Sequence, residues 1–207
     1  MMDALISGIA ETSILEWIAV TTGILSVWFS MRENILVYPV GIVSVLIYVW
    51  LGFQYKLYAD MGVNFYYFII SLYGWYHWKD TDSERKQIPV SMLQTWEKWA
   101  SALVLLGSFG LLYYFLSVFT DSDVAPWDAT TTAFFILAMW LMARKKVESW
   151  IAWIIGDIVS IPLYFYKGLL LTSFQFLVFT LIAVGGLLAW KKSMEKEREQ
   201  DLHLQQA

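Results

Sequence analysis

One helix of this chain carries three residues whose types and spacing suit a flat, positively charged ligand. Trp150, Trp153 and Asp157 lie three and four residues apart, so they share a helical face, which Ser160 and Tyr164 continue. Indole rings stack on flat cations with a cation–π attraction of about 0.5–2 kcal/mol. A carboxylate one turn away compensates the ligand's charge. The face therefore predicts a binding site for a cationic aromatic ring.

Other polar side chains recur at the same spacing on neighbouring apolar segments. Asn64 and Gln175 are amides, which offer paired donors and acceptors to a polar substituent of a ligand. The candidate substrate-binding residues are therefore Trp150, Trp153, Asp157, Asn64, Gln175, Tyr67, Tyr164 and Tyr48.

Structural roles compete with the binding roles at several positions. Asp157 can be protonated and hydrogen-bonded to a neighbouring helix, since intramembrane acids need a partner or a cavity. Trp150 can belong to the aromatic belt at the membrane interface. Belt or packing roles are favoured for Trp78 and Trp190, and packing roles for the two serines of these polar faces, Ser44 and Ser160.

The composition identifies an integral membrane protein. The chain has 207 residues, of which 58% are hydrophobic and 15% charged, whereas soluble domains have about 45–50% and about 25%. Two histidines and no cysteine exclude thiol chemistry and the usual zinc sites, and no basic surface suits nucleic acid. No paired acids, metal-binding histidines or nucleophile motif are found. We therefore expect no enzyme, no metal and no cofactor.

Seven apolar runs approach the length needed to cross a bilayer, which is about 17–25 residues. They are Ile14–Met31, Ile35–Phe53, Met61–Trp78, Trp99–Val118, Thr130–Ala143, Trp150–Tyr166 and Leu169–Trp190, with the fifth expected to begin nearer Trp127. With the N-terminus outside, all of the 14 Lys and Arg residues except Lys56 and Lys167 lie on the inner side. The positive-inside rule therefore predicts an N-out, C-in orientation.

Short motifs recur in the two halves of the chain. Ser-x3-Tyr-x3-Gly occurs at 44–52 and at 160–168, and Gly-x3-Trp at 74–78 and at 186–190. Both copies begin outside, so they predict two parallel repeats with a lone span between them, a 3+1+3 layout with a site between the repeats. The predicted parts are a first three-helix repeat at 14–78, a cytoplasmic loop and linker helix at 79–127, a second repeat at 128–192 and a polar cytoplasmic tail at 193–207.

From Glu16 to Lys192 the chain resembles the PnuC family of bacterial vitamin transporters. The resemblance rests on Leu57-Tyr-Ala, on 73–78 (Tyr-Gly-Trp-Tyr-His-Trp), on Pro126-Trp-Asp, and on 143–153, which ends in Trp-x-x-Trp. It implies a SWEET-like fold, a homotrimer in the bacterial inner membrane, and uptake of nicotinamide riboside. It also implies facilitated diffusion, with cytosolic phosphorylation preventing exit of the substrate.

The resemblance places Trp150 and Trp153 beside the substrate. Riboside-transporting members carry Asn where this chain has Asp157 and Gln where it has Asn64. Relatives of the same fold carry thiamine, which is also a flat cation, so a thiamine transporter is the first alternative. A carboxylate makes uncharged riboflavin less attractive. A transporter of a neutral, sugar-like solute is the second alternative, and a non-transporting membrane scaffold is a further one.

Overall fold

The computed structural model describes residues 14–56, 58–79, 88–168 and 170–206, which form an all-helical protein. Its helices in these ranges are α1 (Ile14–Met31), α2 (Val37–Gln54), α3 (Tyr58–Lys79), α4 (Thr95–Phe119), α5 (Ala125–Ala143), α6 (Glu148–Tyr166) and α7 (Leu170–Gln206). Each predicted apolar run overlaps one helix, α1 has the predicted bounds, and Leu169, the first residue of the seventh run, lies outside the described residues. The seven-helix prediction is therefore confirmed for these ranges.

Five of these helices are long and apolar enough to cross a membrane, namely α1, α2, α4, α6 and most of α7. The other two, α3 and α5, carry more tyrosine and threonine. The predicted seventh run ended at Trp190, whereas α7 continues to Gln206. Its extension is rich in Lys, Glu, Arg and Gln, which are good helix formers in water.

Six helices form a ring, and α4 lies outside it. Neighbours in sequence pack together within α1–α2–α3 and within α5–α6–α7. The ring closes where α3 packs against α5 and where α7 packs against α1. The remaining helix, α4, packs chiefly against α5. The ring can therefore enclose a cavity to which α4 contributes no helix face.

The helices of the ring form two trios, the first being α1–α2–α3 and the second α5–α6–α7. One separation along the sequence relates the two trios. Ser30 and Met142 are 112 residues apart and touch each other. The same separation relates the ends of α1 and α5, the ends of α2 and α6, and the starts of α3 and α7. Left-handed backbone conformations recur with it as well, at Glu33 and Lys145 and at Lys56 and Gly168. Equivalent positions of the trios are therefore 112 residues apart.

The matched Ser-x3-Tyr-x3-Gly motifs are not equivalent positions in this register. A separation of 112 pairs Ser44 with Gly156 and not with Ser160. Two contacts support this pairing: Gly23 faces the Ser44 hydroxyl, and its equivalent Phe135 faces Gly156. The motif match is four residues out, about one helical turn. A shift of one turn in the alignment leaves residues on the same helical face, so two apolar helices match almost as well after the shift.

Four large aromatic rings close one end of the ring of helices. We call these rings the inner aromatic cluster because the predicted N-out orientation would place them on the cytoplasmic side. In the order Tyr38, Trp78, Trp190 and Trp150, successive ring centroids are 5.2, 6.0 and 5.5 Å apart. Trp78 Nε1 donates to the Ala143 carbonyl at 3.2 Å, and Trp190 Nε1 donates to the Ser30 carbonyl at 2.9 Å. Each bond ties one trio to the other. The tryptophans at 78 and 190 thus have packing roles.

Charged residues of both signs surround the same end of the bundle. Lys145 Nζ lies 3.4 Å from a Glu33 carboxylate oxygen and 4.7 Å from the centroid of the Trp78 ring. It also donates to the Ile88 carbonyl. Burial lowers the pKa of Lys145, and the Glu33 charge opposes that shift. This ion pair joins the α1–α2 turn to the α5–α6 turn.

The start of α4 is fixed to the α5–α6 turn. Buried Glu97 accepts from Lys146 at 2.9 Å and pairs with Arg144 at 3.0 Å. Backbone bonds join Ser91 to Lys145 and Val147. These contacts hold α4 to the second trio, and no ion pair in the described ranges links α4 to the first.

Glycine is required where aromatic rings of the cluster cross a helix. A Cβ at Gly186 would lie 2.5 Å from atoms of the Trp150 ring, and one at Gly74 would lie 2.5 Å from Tyr38. We therefore expect Gly186→Ala to destabilise the detergent-solubilised protein by about 1–3 kcal/mol through overpacking. Thermal melting followed by tryptophan fluorescence measures this. The control is Gly107→Ala on α4, where a Cβ meets nothing within 4 Å; equal melting temperatures for the two variants would contradict the packing role.

Candidate substrate-binding cavity

A cavity of about 340 Å³ lies within the ring of six helices. It extends from the inner aromatic cluster, at Tyr38 and Trp150, to Tyr48 and Asn64 near the opposite end of the bundle. Its lining is mostly apolar and aromatic. A cavity of this size suits a small organic molecule.

Asp157 is the only charged residue in the described lining of the cavity. Only 3% of its surface is exposed. Its carboxylate forms no hydrogen bond or ion pair with another described residue, so the predicted alternative of a hydrogen bond to a neighbouring helix is not seen. Tyr67 on α3 lines the same cavity. A buried carboxylate without a protein partner is costly, and a cationic ligand would remove that cost.

The two tryptophans of α6 differ in their surroundings, although both line the cavity. Trp150 is 1% exposed and belongs to the inner aromatic cluster, so it does not lie at a lipid interface. Its Nε1–H is buried without an acceptor in the described chain. Trp153 is half-buried, and its ring packs against Phe135 with centroids 5.5 Å apart. Trp153 therefore presents the more accessible ring, and Trp150 forms the base of the cavity.

The predicted amides and two of the three predicted tyrosines also line the cavity. Asn64 donates one N–H to the Asp60 carbonyl of its own helix, which leaves its oxygen and second N–H for other partners. Gln175 on α7 reaches the cavity with both ends of its amide unbonded to described residues. Tyr48 and Tyr67 complete this part of the lining. The cavity thus brings together seven of the eight candidate residues.

Tyr164 lies outside the cavity lining. Its ring stacks on Phe176 with centroids 5.1 Å apart, and Lys167 lies 5.5 Å from the Tyr164 ring centroid. Tyr164 therefore supports a wall of the cavity from behind. Ser160 donates to the Gly156 carbonyl within its own helix, and Ser44 donates to the Ala19 carbonyl of α1. Both serines thus act in helix packing, although Ser44 also borders the cavity.

Several lining residues were not among the candidates. Phe135, Phe176, Phe179, Met139 and Tyr38 all face the cavity. The phenylalanines occur in apolar runs, where a ring that faces a cavity cannot be distinguished by type from one that faces lipid. The Ser-x3-Tyr-x3-Gly motifs also paired the two halves one turn out of register, although the Gly-x3-Trp motifs at 74–78 and at 186–190 are 112 residues apart.

Sequence relatives of this chain are transporters by name. It is 26% identical to the nicotinamide riboside transporter PnuC of Escherichia coli (strain K12) over 208 residues, which covers 88% of this chain and 87% of that protein. It is also 26% identical to the riboflavin/roseoflavin transporter RibM of Streptomyces davaonensis, over 81% of this chain and 80% of that protein. The similarity therefore extends over most of each chain.

A solved structure has the same fold. The crystal structure of the vitamin B3 transporter PnuC superimposes with a TM-score of 0.71, covering 94% of this chain and 88% of that chain at 24% identity. The family model described as nicotinamide mononucleotide transporter matches residues 13–192. The predicted membership is thereby confirmed: this chain belongs to the nicotinamide mononucleotide transporter family, which includes the PnuC proteins.

Proposed function

We propose that this protein transports a cationic vitamin with a flat ring across the bacterial inner membrane, and that nicotinamide riboside is this vitamin. The observation that carries the proposal is the partnerless carboxylate of Asp157 in an otherwise uncharged, aromatic cavity. Relatives named as nicotinamide riboside transporters support the choice of substrate. A riboside of nicotinamide combines a positively charged flat ring with an uncharged hydroxylated substituent.

Each part of this ligand has a matching group in the cavity. The ring stacks on Trp153 above the base formed by Trp150, and Asp157 compensates its charge. The amides of Asn64 and Gln175 read the polar substituent, since each offers both a donor and an acceptor. The hydroxyls of the lining tyrosines, Tyr48 and Tyr67, add to this polar region.

The transport cycle proposed here is alternating access by facilitated diffusion. The two trios act as parallel three-helix repeats in a SWEET-like 3+1+3 arrangement, with α4 as the linker and the N-terminus outside. Their rocking opens the cavity first outward and then past the inner aromatic cluster. Phosphorylation in the cytosol prevents exit of the substrate. The assembly is a homotrimer of the 24.0 kDa chain, which native mass spectrometry tests directly.

Riboflavin is a second candidate substrate because RibM is among the relatives. The flavin ring is flat but uncharged, so it would leave the Asp157 carboxylate without compensation. Titration calorimetry of the purified protein with nicotinamide riboside, thiamine and riboflavin separates the candidates. Tight binding of the riboside alone supports the proposal. Tight binding of thiamine alone or of riboflavin alone would identify that vitamin as the substrate instead. Binding of none of the three would contradict vitamin transport.

Asp157→Asn should weaken binding of nicotinamide riboside by roughly tenfold or more, because a desolvated charge loses its counter-charge. The matched ligand control is the reduced riboside, which has the same substituent but a neutral ring. Its affinity should be nearly the same for the wild type and the variant. Titration calorimetry measures all four affinities. Equal losses for the two ligands would show that Asp157 acts without charge compensation.

Facilitated diffusion of a cation makes its distribution depend on the membrane potential. A monovalent cation gains about 2.3 kcal/mol per 100 mV, which corresponds to roughly fiftyfold accumulation at equilibrium. We expect this accumulation in proteoliposomes in which valinomycin and a potassium gradient generate an inside-negative membrane potential. The neutral reduced riboside should equilibrate at equal concentrations. Accumulation of the cation without a potential would indicate coupling to another ion.

A further inference from the structure

The two sides of the cavity differ in chemistry at equivalent positions. Counted 112 residues apart, Gly23 pairs with Phe135, Gly41 with Trp153, and Asn64 with Phe176. At these three pairs the first trio presents small or polar groups and the second trio presents rings, whereas the tyrosines Tyr38 and Tyr67 of the first trio pair with the rings of Trp150 and Phe179. All six residues of the three pairs line the cavity. At these positions a flat ligand ring thus finds a surface of three rings in contact on the second trio and no ring on the first.

We call this surface the aromatic wall and define it as Trp153, Phe135 and Phe176, from α6, α5 and α7. The Phe135 and Trp153 rings have centroids 5.5 Å apart and planes inclined by 30°. The Phe135 and Phe176 rings are parallel within 3°, with centroids 5.9 Å apart. Phe135 is therefore the central ring and touches both of the others.

The position of Phe135 is itself fixed by a glycine. A Cβ at Gly156 would collide with the Phe135 ring, so the ring lies directly on the backbone of α6. Trp153, by contrast, forms no hydrogen bond from its indole N–H to any described residue. Packing contacts set the plane of Trp153, and Phe135 supplies a ring contact from the neighbouring helix.

We propose that Phe135 is a positioning residue that holds the plane of Trp153 for stacking. It thereby directs the ligand's ring to the second trio and the ligand's polar substituent to the first. This inference rests on the proposed transport of a cationic, flat-ring vitamin. We expect the ligand's ring to stack less well on Trp153 when Phe135 is replaced by a residue without a flat ring, even if the volume of the cavity is unchanged.

The test uses a spectroscopic signature of stacking. An indole stacked on a pyridinium ring gives a charge-transfer absorption band, which is read in difference spectra at saturating nicotinamide riboside. The wild type should show the band and Trp153→Phe should lose it. Phe135→Leu should lose most of the band at saturation and bind the riboside about two- to tenfold more weakly. Phe135→Tyr keeps a flat ring and should retain both the band and the affinity.

The matched control is Phe109→Leu on α4. Phe109 also stacks on a neighbouring ring, that of Tyr113, with centroids 5.9 Å apart, but it lies outside the cavity lining. Its substitution should leave the band and the affinity unchanged. If Phe135→Leu does not yield monodisperse protein, Phe135→Met provides the same loss of a flat ring with a side chain that adapts to irregular space.

The outcomes separate this inference from the proposed function. Wild-type protein that binds no cationic vitamin contradicts the proposed function. Wild-type protein that binds the riboside without a band dependent on Trp153 overturns the inference alone. So does a full band at saturation in Phe135→Leu, because a residue that serves only packing would lower affinity or stability without changing the stacked complex.

Discussion

Two hydrogen bonds across the bundle, from Trp78 to Ala143 and from Trp190 to Ser30, constrain most of the architecture. The last carbonyls of a helix have no partner within that helix, and leaving them unpaired away from water is costly. The Trp78 indole satisfies the Ala143 carbonyl, and the Trp190 indole is a second donor to the Ser30 carbonyl, which also accepts from the Glu33 N–H. Each bond connects the third helix of one trio to the first helix of the other. The closed ring of helices and the base of the cavity follow from these contacts.

The described lining of the cavity above that base has one charged side chain, Asp157, and we propose that this scarcity of charge gives the cavity its selectivity. A single carboxylate among aromatic rings acts in a medium of low effective dielectric constant, where its field is weakly screened. Asp157 therefore influences the whole volume, while the rings accept flat ligands of many kinds. In the proposed function, charge and shape are therefore read by different residues. The difference at three equivalent pairs, with rings on the second trio and small or polar groups on the first, is proposed to orient a ligand that has two unlike ends.

Much of the helical fold and of the cavity lining was predictable from the sequence. Periodicity placed Trp153, Asp157, Asn64 and Gln175 on polar helical faces, and the structure brings all four to one cavity. The rule works because polar groups in a bilayer must face other protein or a cavity. The same rule also selected Tyr164, which instead supports Phe176, since an amphipathic aromatic residue fits either place.

Other features lay beyond sequence reasoning for identifiable reasons. Phenylalanine suits lipid, core and cavity equally, so Phe135 and Phe176 carried no signal of their own. The pairing of the Ser-x3-Tyr-x3-Gly motifs was one turn out of register, because helical faces repeat after about one turn, whereas the Gly-x3-Trp motifs have the 112-residue separation. The orientation in the membrane, the role of α4 as a linker between repeats and the trimer are still predictions.

The pair of Glu33 and Lys145 has a consequence for assembly. The two residues occupy equivalent positions, have the same left-handed backbone, and meet each other at 3.4 Å. If two copies of the same trio docked in this geometry, two glutamates or two lysines would face each other and repel. Opposite charges on the local pseudo-twofold axis therefore make the trios mutually selective. The ion pair therefore favours docking of a first trio on a second trio over docking of two like trios, whether the two trios belong to one chain or to neighbouring copies.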